Sequence, residues 1–414
     1  MTGLSLNGPL NFSDPYANVP GGNPFPYIYS KGAPFPTFPP YQGFYPYQPN
    51  QPNTQQQTWS LSVQRQVTPS VFASASYMGT HLIHLWDALE LNPALYVPGT
   101  CTAGQYGLTA PGPCSQLSNV EQRRLLQLTN PAGVGSIFGS LTSFDPSGTQ
   151  SYHGLLLSAT YRKGNTSLSG NYTWSHCIGM PWIGVANIGS TYEHAPYQNN
   201  GPQNRYLDYG DCTASAIDVR HVANATLVTS TPAFSRAWKN GILGGWHFGT
   251  IFTVRTGVPL TPNVGFDAAL NGFFASSGSY NYVQRPNQVL LNVYAPNKAQ
   301  SCSTASCVSW LNRAAFANPA PGTYGNMAFG TIRGPKFWEW DQSIYRDFRI
   351  LEGQTLQIRA EAFNLTNSVR FAPPNMVLTN GLFGNITSAY STTGSATLTG
   401  SGGRIVQLAL KYVF

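Results

Sequence analysis

Three ionisable residues sit where they can act together. Asp341 lies on one extended segment, and Arg359 and Glu361, two residues apart, lie on the next. In an extended chain, residues two apart share a face. Two acids with one guanidinium can bind a charged solute or a partner segment. They can equally keep a polar face hydrated and fix strand register. Other groupings carry less chemistry. Glu193, Asp208 and Asp211 share one connecting stretch, but their spacing matches no calcium loop. His81 and His84 are three apart and His176 abuts Cys177, yet a zinc site needs further ligands placed by the fold. No nucleophile elbow, phosphate-cradling loop or paired acids in a shared context occurs, so no catalytic, metal or cofactor residue is assigned and no enzyme is expected.

The six cysteines sort by position: Cys101 with Cys114, Cys177 with Cys212, and Cys302 with Cys307. No pair has C-x-x-C spacing and no second pair completes a metal tetrad. Each pair falls within one long connection, so three loop-local disulfides are expected, as in an oxidising compartment.

The elements that must position these groups are strands. Trp59, Leu61 and Val63 alternate with Ser60, Ser62 and Gln64. After a break at Thr68-Pro69-Ser70, Val71, Ala73, Ala75 and Tyr77 alternate with Ser74 and Ser76. A second hairpin has Leu155, Leu157, Ala159 and Tyr161, a turn at Lys163-Gly164-Asn165, then Leu168, Gly170, Tyr172 and Trp174. A third pair covers about 219–228 and 246–256, joined through Pro232 to Gly245. A fourth spans about 337–365 and turns at Leu351-Glu352-Gly353-Gln354; its return strand puts Leu356, Ile358, Ala360 and Ala362 opposite Gln357, Arg359 and Glu361. The ninth is terminal: Val406, Leu408, Leu410, Tyr412 and Phe414 on one face, with Gln407, Ala409 and Lys411 on the other. Connections alternate between short (68–70, 163–165, 229–245, 351–354) and long (79–151, 176–218, 257–336, 366–403). Loops of the second kind are unusual in a compact soluble domain.

Only 9% of the 414 residues are charged, against about 25% in a typical soluble domain. No apolar run reaches the ~18 residues of a membrane helix, whereas about ten residues suffice for a tilted strand to cross. The net charge of +7 comes from singly scattered basic residues, so no nucleic-acid partner is expected. Residues 1–56 are rich in Pro, Gly and aromatics and read as an extended loop, with strands in 57–414. Trp59, Tyr77, Tyr161, Trp174, Trp246, Trp338, Trp340 and Tyr412 lie towards strand ends, as interfacial girdle residues do.

Three stretches carry a family likeness. One runs from Gly244-Gly245-Trp246-His247-Phe248 to Arg255-Thr256-Gly257-Val258-Pro259-Leu260-Thr261. The second comprises Ala315-Phe316-Ala317-Asn318-Pro319, Gly322-Thr323-Tyr324-Gly325-Asn326, Arg333-Gly334-Pro335 and Trp340-Asp341. The third is Arg359-Ala360-Glu361-Ala362-Phe363-Asn364-Leu365-Thr366-Asn367. With Asp218-Val219-Arg220-His221, they resemble the C-terminal barrel half of the TonB-dependent receptor-like, Oar-like outer-membrane transporters. The strand that ends on Phe414 also resembles the terminal strand of bacterial outer-membrane barrels. The resemblance implies that Leu408, Leu410, Tyr412 and Phe414 form a signal for the barrel-assembly machinery, with the C-terminus periplasmic and the long loops outside. Family members also have a signal sequence, an N-terminal plug and about 22 strands. No signal sequence or plug is visible here, and only nine strands are found. The expectation is therefore an all-β fold: an antiparallel transmembrane β-barrel portion of about nine strands, incomplete as a barrel, with 1–56 as an extracellular loop segment. Its partners would be outer-membrane lipid, the assembly machinery, and missing plug and barrel strands, with TonB engaged only through the missing segment. The implied role is uptake or export of a bulky ligand. The alternative is a surface adhesion or assembly protein anchored in the outer membrane.

Overall fold

Small polar residues alternating with apolar ones build nine long strands in a computed structural model, which describes residues 40–44, 46, 49–179, 209–212, 218–272, 284–296, 307–390 and 403–414. The strands are β1 (Gln55–Thr68), β2 (Val71–Glu90), β3 (Phe138–Lys163), β4 (Thr166–Gly179), β5 (His221–Ser230), β6 (Trp246–Arg255), β7 (Phe337–Leu351), β8 (Gln354–Phe363) and β9 (Ile405–Val413). Each is hydrogen-bonded to the next in chain order. Pairing is antiparallel for β1–β2, β3–β4 and every consecutive pair from β4 to β9. Among the described residues β1 and β9 do not pair, so the sheet is open.

The register sorts the side chains into two faces. Across β8 and β9, Leu356, Ile358, Ala360 and Ala362 oppose Tyr412, Leu410, Leu408 and Val406, while Gln357, Arg359 and Glu361 oppose Lys411, Ala409 and Gln407. The apolar face is bare: Leu61 is 68% exposed, Leu410 69% and Leu408 81%. At about 25 cal/mol per Å² of apolar surface, a row of such residues needs a non-aqueous cover. Two polar residues on this face, Thr250 and Gln342, stand opposite each other and hydrogen-bond at 2.6 Å. Gly79 faces Trp59 across β1 and β2, and a Cβ there would fall 2.3 Å from the indole ring; the glycine lets the ring lie flat on the sheet. On the polar face, short side chains bond sideways: Ser62 to Ser76 at 2.8 Å, Ser74 to Ser158 at 2.7 Å and Asn171 to Asn224 at 3.1 Å.

Three features depart from the sequence reading. The connection expected over 79–151 is partly strand, because β2 continues to Glu90 and β3 begins at Phe138. Strand neighbours can satisfy backbone groups without a one-sided apolar pattern, so this extension leaves no alternation to read. Within the Pro-rich N-terminal stretch, Gln42–Phe44 pairs in parallel with the start of β3. The 15-residue connection from Thr231 to Gly245 contains a helix, Ala237–Leu243, to which the sequence reading assigned no element.

Contacts divide the chain into two units. One comprises residues 1–50, 88–144 and 270–272. There the Cys101–Cys114 disulfide packs with Leu108, Val97 and Tyr106. Arg123, fully buried, donates to Asn119 Oδ1 at 2.9 Å and to the carbonyls of Gln116 and Leu270 at 3.0 and 2.7 Å. The other unit holds the remaining residues, with β4 to β9 among them. Its long connections fold on one another: Leu311, Ala315, Phe316, Met327, Ile332, Leu378 and Phe383 pack into a core built from two loops.

Candidate functional site

The polar face of β6, β7 and β8 carries a strip of charge, and backbone register decides its order. His247, Tyr345 and Arg359 form one row, followed by Gly249, Ser343 and Glu361. Ile251 and Asp341 come next, then Thr253 and Glu339, and last Arg255 and Phe337. At the short-turn end, the His247 and Tyr345 rings stack at 4.5 Å and 7°. The Arg359 guanidinium covers Tyr345 at 5.2 Å, and its Nη1 lies 3.4 Å from Glu361 Oε1. Both side chains of that ion pair are partly exposed, so it contributes little stability, of order 0–1 kcal/mol.

Gly249 and Ser343 are small, and beside them the sheet surface sinks into a depression of about 230 Å³ lined by Asp341, Glu361, Ile251 and Phe363. A Cβ at Gly249 would lie 2.5 Å from Ser343 Oγ. The structure thus brings Asp341 and Glu361 to one hollow, with Arg359 at its edge. Asp341 also acts on the backbone. Its Oδ1 accepts the N–H of Asn364 at 2.8 Å, where the chain leaves β8. Asn364 has φ +52°, is fully buried, and clamps Ser368 through its side chain, so Asp341 fixes the start of the following loop as well.

Glu339, Arg255 and Arg370 extend the strip. Arg370 ion-pairs with Glu339, and Arg255 and Arg370 both lie over the Phe337 ring, at 5.1 and 5.2 Å. Burial lowers the Arg370 guanidinium from its ordinary value. The sequence held a usable signal for Glu339, since it lies two residues before Asp341 and shares its face. Arg370 is carried by a loop, where periodicity says nothing.

A second polar cluster lies at the long-loop ends of β4 and β5. Arg333 Nη2 ion-pairs with both Asp211 and Asp218, and its Nη1 donates to the Asp218 carbonyl at 3.0 Å. Arg220 Nη2 lies 3.2 Å from Asp211 and 3.5 Å from Asp218. The buried Asp218 carboxylate also accepts the Cys177 N–H at 2.9 Å. His176 Nε2 meets Asp211 at 2.8 Å, and Gln150 Nε2 sits 3.1 and 2.9 Å from the sulfurs of the Cys177–Cys212 disulfide. Two guanidiniums facing two carboxylates offset the cost of burying Asp218. Asp218, Arg220 and Arg333 stood in sequence motifs, but their meeting joins positions 115 residues apart and has no local signature.

Of the other positions singled out in the sequence, Cys307 is disulfide-bonded, and Cys302, Glu193 and Asp208 lie outside the described residues. His81 Nδ1 meets Ser151 Oγ at 2.9 Å and His84 Nδ1 the Pro146 carbonyl at 3.3 Å. Among the described residues no three His, Cys, Asp or Glu side chains are grouped to hold a metal. On β9, Leu408 and Leu410 are exposed on the apolar face, Tyr412 donates to Gln354 Oε1 at 2.6 Å, and Phe414 is 92% exposed.

A family model described as an outer membrane beta barrel domain matches residues 2–407. No curated protein matches the chain. Among solved structures, it is similar to the outer membrane transporter YddB from Escherichia coli, with 9% identity over 91% of this chain and 35% of that one, at a TM-score of 0.37. It is also similar to the FrpB iron transporter from Neisseria meningitidis, with 11% identity over 90% of this chain and 33% of that one, at a TM-score of 0.33. A third is the unliganded ferric citrate transporter FecA, with 11% identity, 86% and 31% coverage and a TM-score of 0.32. The chain spans about a third of the length of these structures.

Proposed function

The chain belongs to the outer-membrane β-barrel domain family, and from that premise we propose that it forms part of the wall of a transport barrel for a bulky ligand. The polar face carries the reading. Barrels of about eight strands fill their interior with side chains. Nine strands already exceed that number, and the inward residues here include Ser62, Ser74, Ser76, Ser158, Gly249 and Ser343, which are short and in several cases bonded sideways along the sheet. Such a wall does not fill a lumen. It leaves room for a plug segment or a solute, and Asp341, Glu361 and Arg359 give that space a charged contact.

In this reading the barrel closes through strands additional to these nine, and energy coupling through TonB enters by a plug that the nine strands do not supply. The C-terminus faces the periplasm, and Leu408, Leu410, Tyr412 and Phe414 present the assembly signal. A surface anchor for adhesion would use the loops and leave the lumen idle. Spent-medium mass spectrometry separates the two. Cells lacking the protein should deplete at least one large solute more slowly, and the native protein should restore depletion better than one carrying Asp341→Asn and Glu361→Gln. Equal depletion in all strains, with lost surface attachment in the deletion, would establish the anchor instead.

A further inference from the structure

Three of the short connections, Pro69-Ser70, Gly164-Asn165 and Glu352-Gly353, are two-residue turns. The fourth, between β5 and β6, spends 15 residues and forms the helix Ala237–Leu243, here α1. This helix is fastened to the apolar face. Trp246 and Arg346 stand opposite each other on β6 and β7, in the same row parity as Phe248 and Ile344. Trp246 Nε1 donates to the Ile242 carbonyl at 2.9 Å. Arg346 donates to the carbonyls of Ile242 at 3.1 Å and Gly241 at 2.6 Å, and its guanidinium covers the Trp246 and Phe348 rings at 5.5 and 4.8 Å. The Gly241 and Ile242 carbonyls in the last turn of the helix are thereby satisfied, and a cation sits at its negative end.

Held there, the helix turns large apolar side chains outward. Trp238 is 60% exposed, Ile242 62% and Leu243 49%. Arg236 is also exposed, and Lys239 leans over Trp238 at 5.6 Å. Bare Trp, Ile and Leu beside basic residues, continuous with a face that lipid covers, match the chemistry of an interfacial segment. We infer that α1 is a membrane-surface foot: it enters the leaflet at the short-turn rim, with Trp238, Ile242 and Leu243 among acyl chains and Arg236 and Lys239 at anionic headgroups. The occupant is the lipid leaflet itself, and the inference rests on the outer-membrane reading of the apolar face. Such segments lie about 5–10 Å into the headgroup and acyl boundary. Arg346 fits that depth, because an arginine on the lipid face is costly at the midplane and nearly free of cost near the interface.

Spin labels in isolated outer membranes test this, using the full chain with its disulfides intact. Single cysteines replace Trp238, Leu408 and Gly164, and collision rates with oxygen and with a soluble nickel chelate are compared. Trp238→Cys should favour oxygen several-fold, as Leu408→Cys does, while Gly164→Cys should favour the chelate. Should Trp238→Cys fail to assemble, Ile242→Cys, one turn on along the same face, reads the same surface. A label on α1 that meets the chelate as freely as Gly164→Cys, with Leu408→Cys in lipid, would overturn the inference alone. A chelate-exposed Leu408→Cys would overturn the membrane reading and this inference with it.

Discussion

Gly249 is the residue on which the hollow in the polar face depends. Its missing side chain leaves room for Ser343 Oγ in the hollow that Asp341 and Glu361 also line. Gly249→Ala should cost at most ~1 kcal/mol, because the Ser343 hydroxyl it meets can turn to another rotamer, read as a slightly lower temperature for loss of the compact band in heat-modifiability gels. Adding Ser343→Gly should recover most of it, since the clash is with that hydroxyl. Equal loss in the single and double variants would mean that the glycine matters for its backbone instead. The ionisable residues were legible in part. Arg359 and Glu361 could be placed on one face from spacing alone, and the structure adds Tyr345 beneath Arg359, with His247 stacked on Tyr345. The Arg333 clamp on Asp211 and Asp218 was not legible, because it joins a loop to strand ends across long sequence separations.

At the scale of elements, the nine strands were visible because period-two alternation marks any sheet with one apolar face. The extensions of β2 and β3 towards their long connection, and the helix α1, were not visible. The extensions carry no one-sided pattern, and two helical turns are too short to establish a period. The packed core of Leu311, Phe316, Met327, Ile332 and Phe383 was hidden for another reason: its members come from two loops and share no repeat. The disulfides belong to this scale. Cys101–Cys114 lies within the connection from β2 to β3, and Cys177–Cys212 ties the end of β4 to the connection that follows it, at sequence separations of 13 and 35. Non-reducing peptide mapping should recover both, together with Cys302–Cys307; a bridge between different loops would refute the pairing. The terminal strand makes a separate demand. Deleting Phe414, or replacing it with Asp, should reduce the amount of protein in the outer membrane, whereas Gln407→Asn on the polar face should not. Unchanged assembly without Phe414 would remove the signal from this end of the chain.

The whole molecule is organised by which end of the sheet carries which connections. Two-residue turns join β1 to β2, β3 to β4 and β7 to β8, and the packed loops lie at the other end. If the C-terminus faces the periplasm, as proposed, a thiol-reactive, membrane-impermeant label on intact cells should reach Gly381→Cys and miss Gly353→Cys. Labelling of Gly353→Cys from outside would invert the topology. In the proposed arrangement one face of this sheet meets lipid and the other meets water. Strand β9 tests it most directly, because from Val406 to Lys411 large apolar residues alternate with Gln407, Ala409 and Lys411 at the edge of the sheet. Single cysteines from Val406 to Lys411, treated with a charged maleimide in isolated outer membranes, should react in alternation. Gln407, Ala409 and Lys411 should be modified, and Val406, Leu408 and Leu410 protected. Uniform modification, or protection in the opposite phase, would contradict the account.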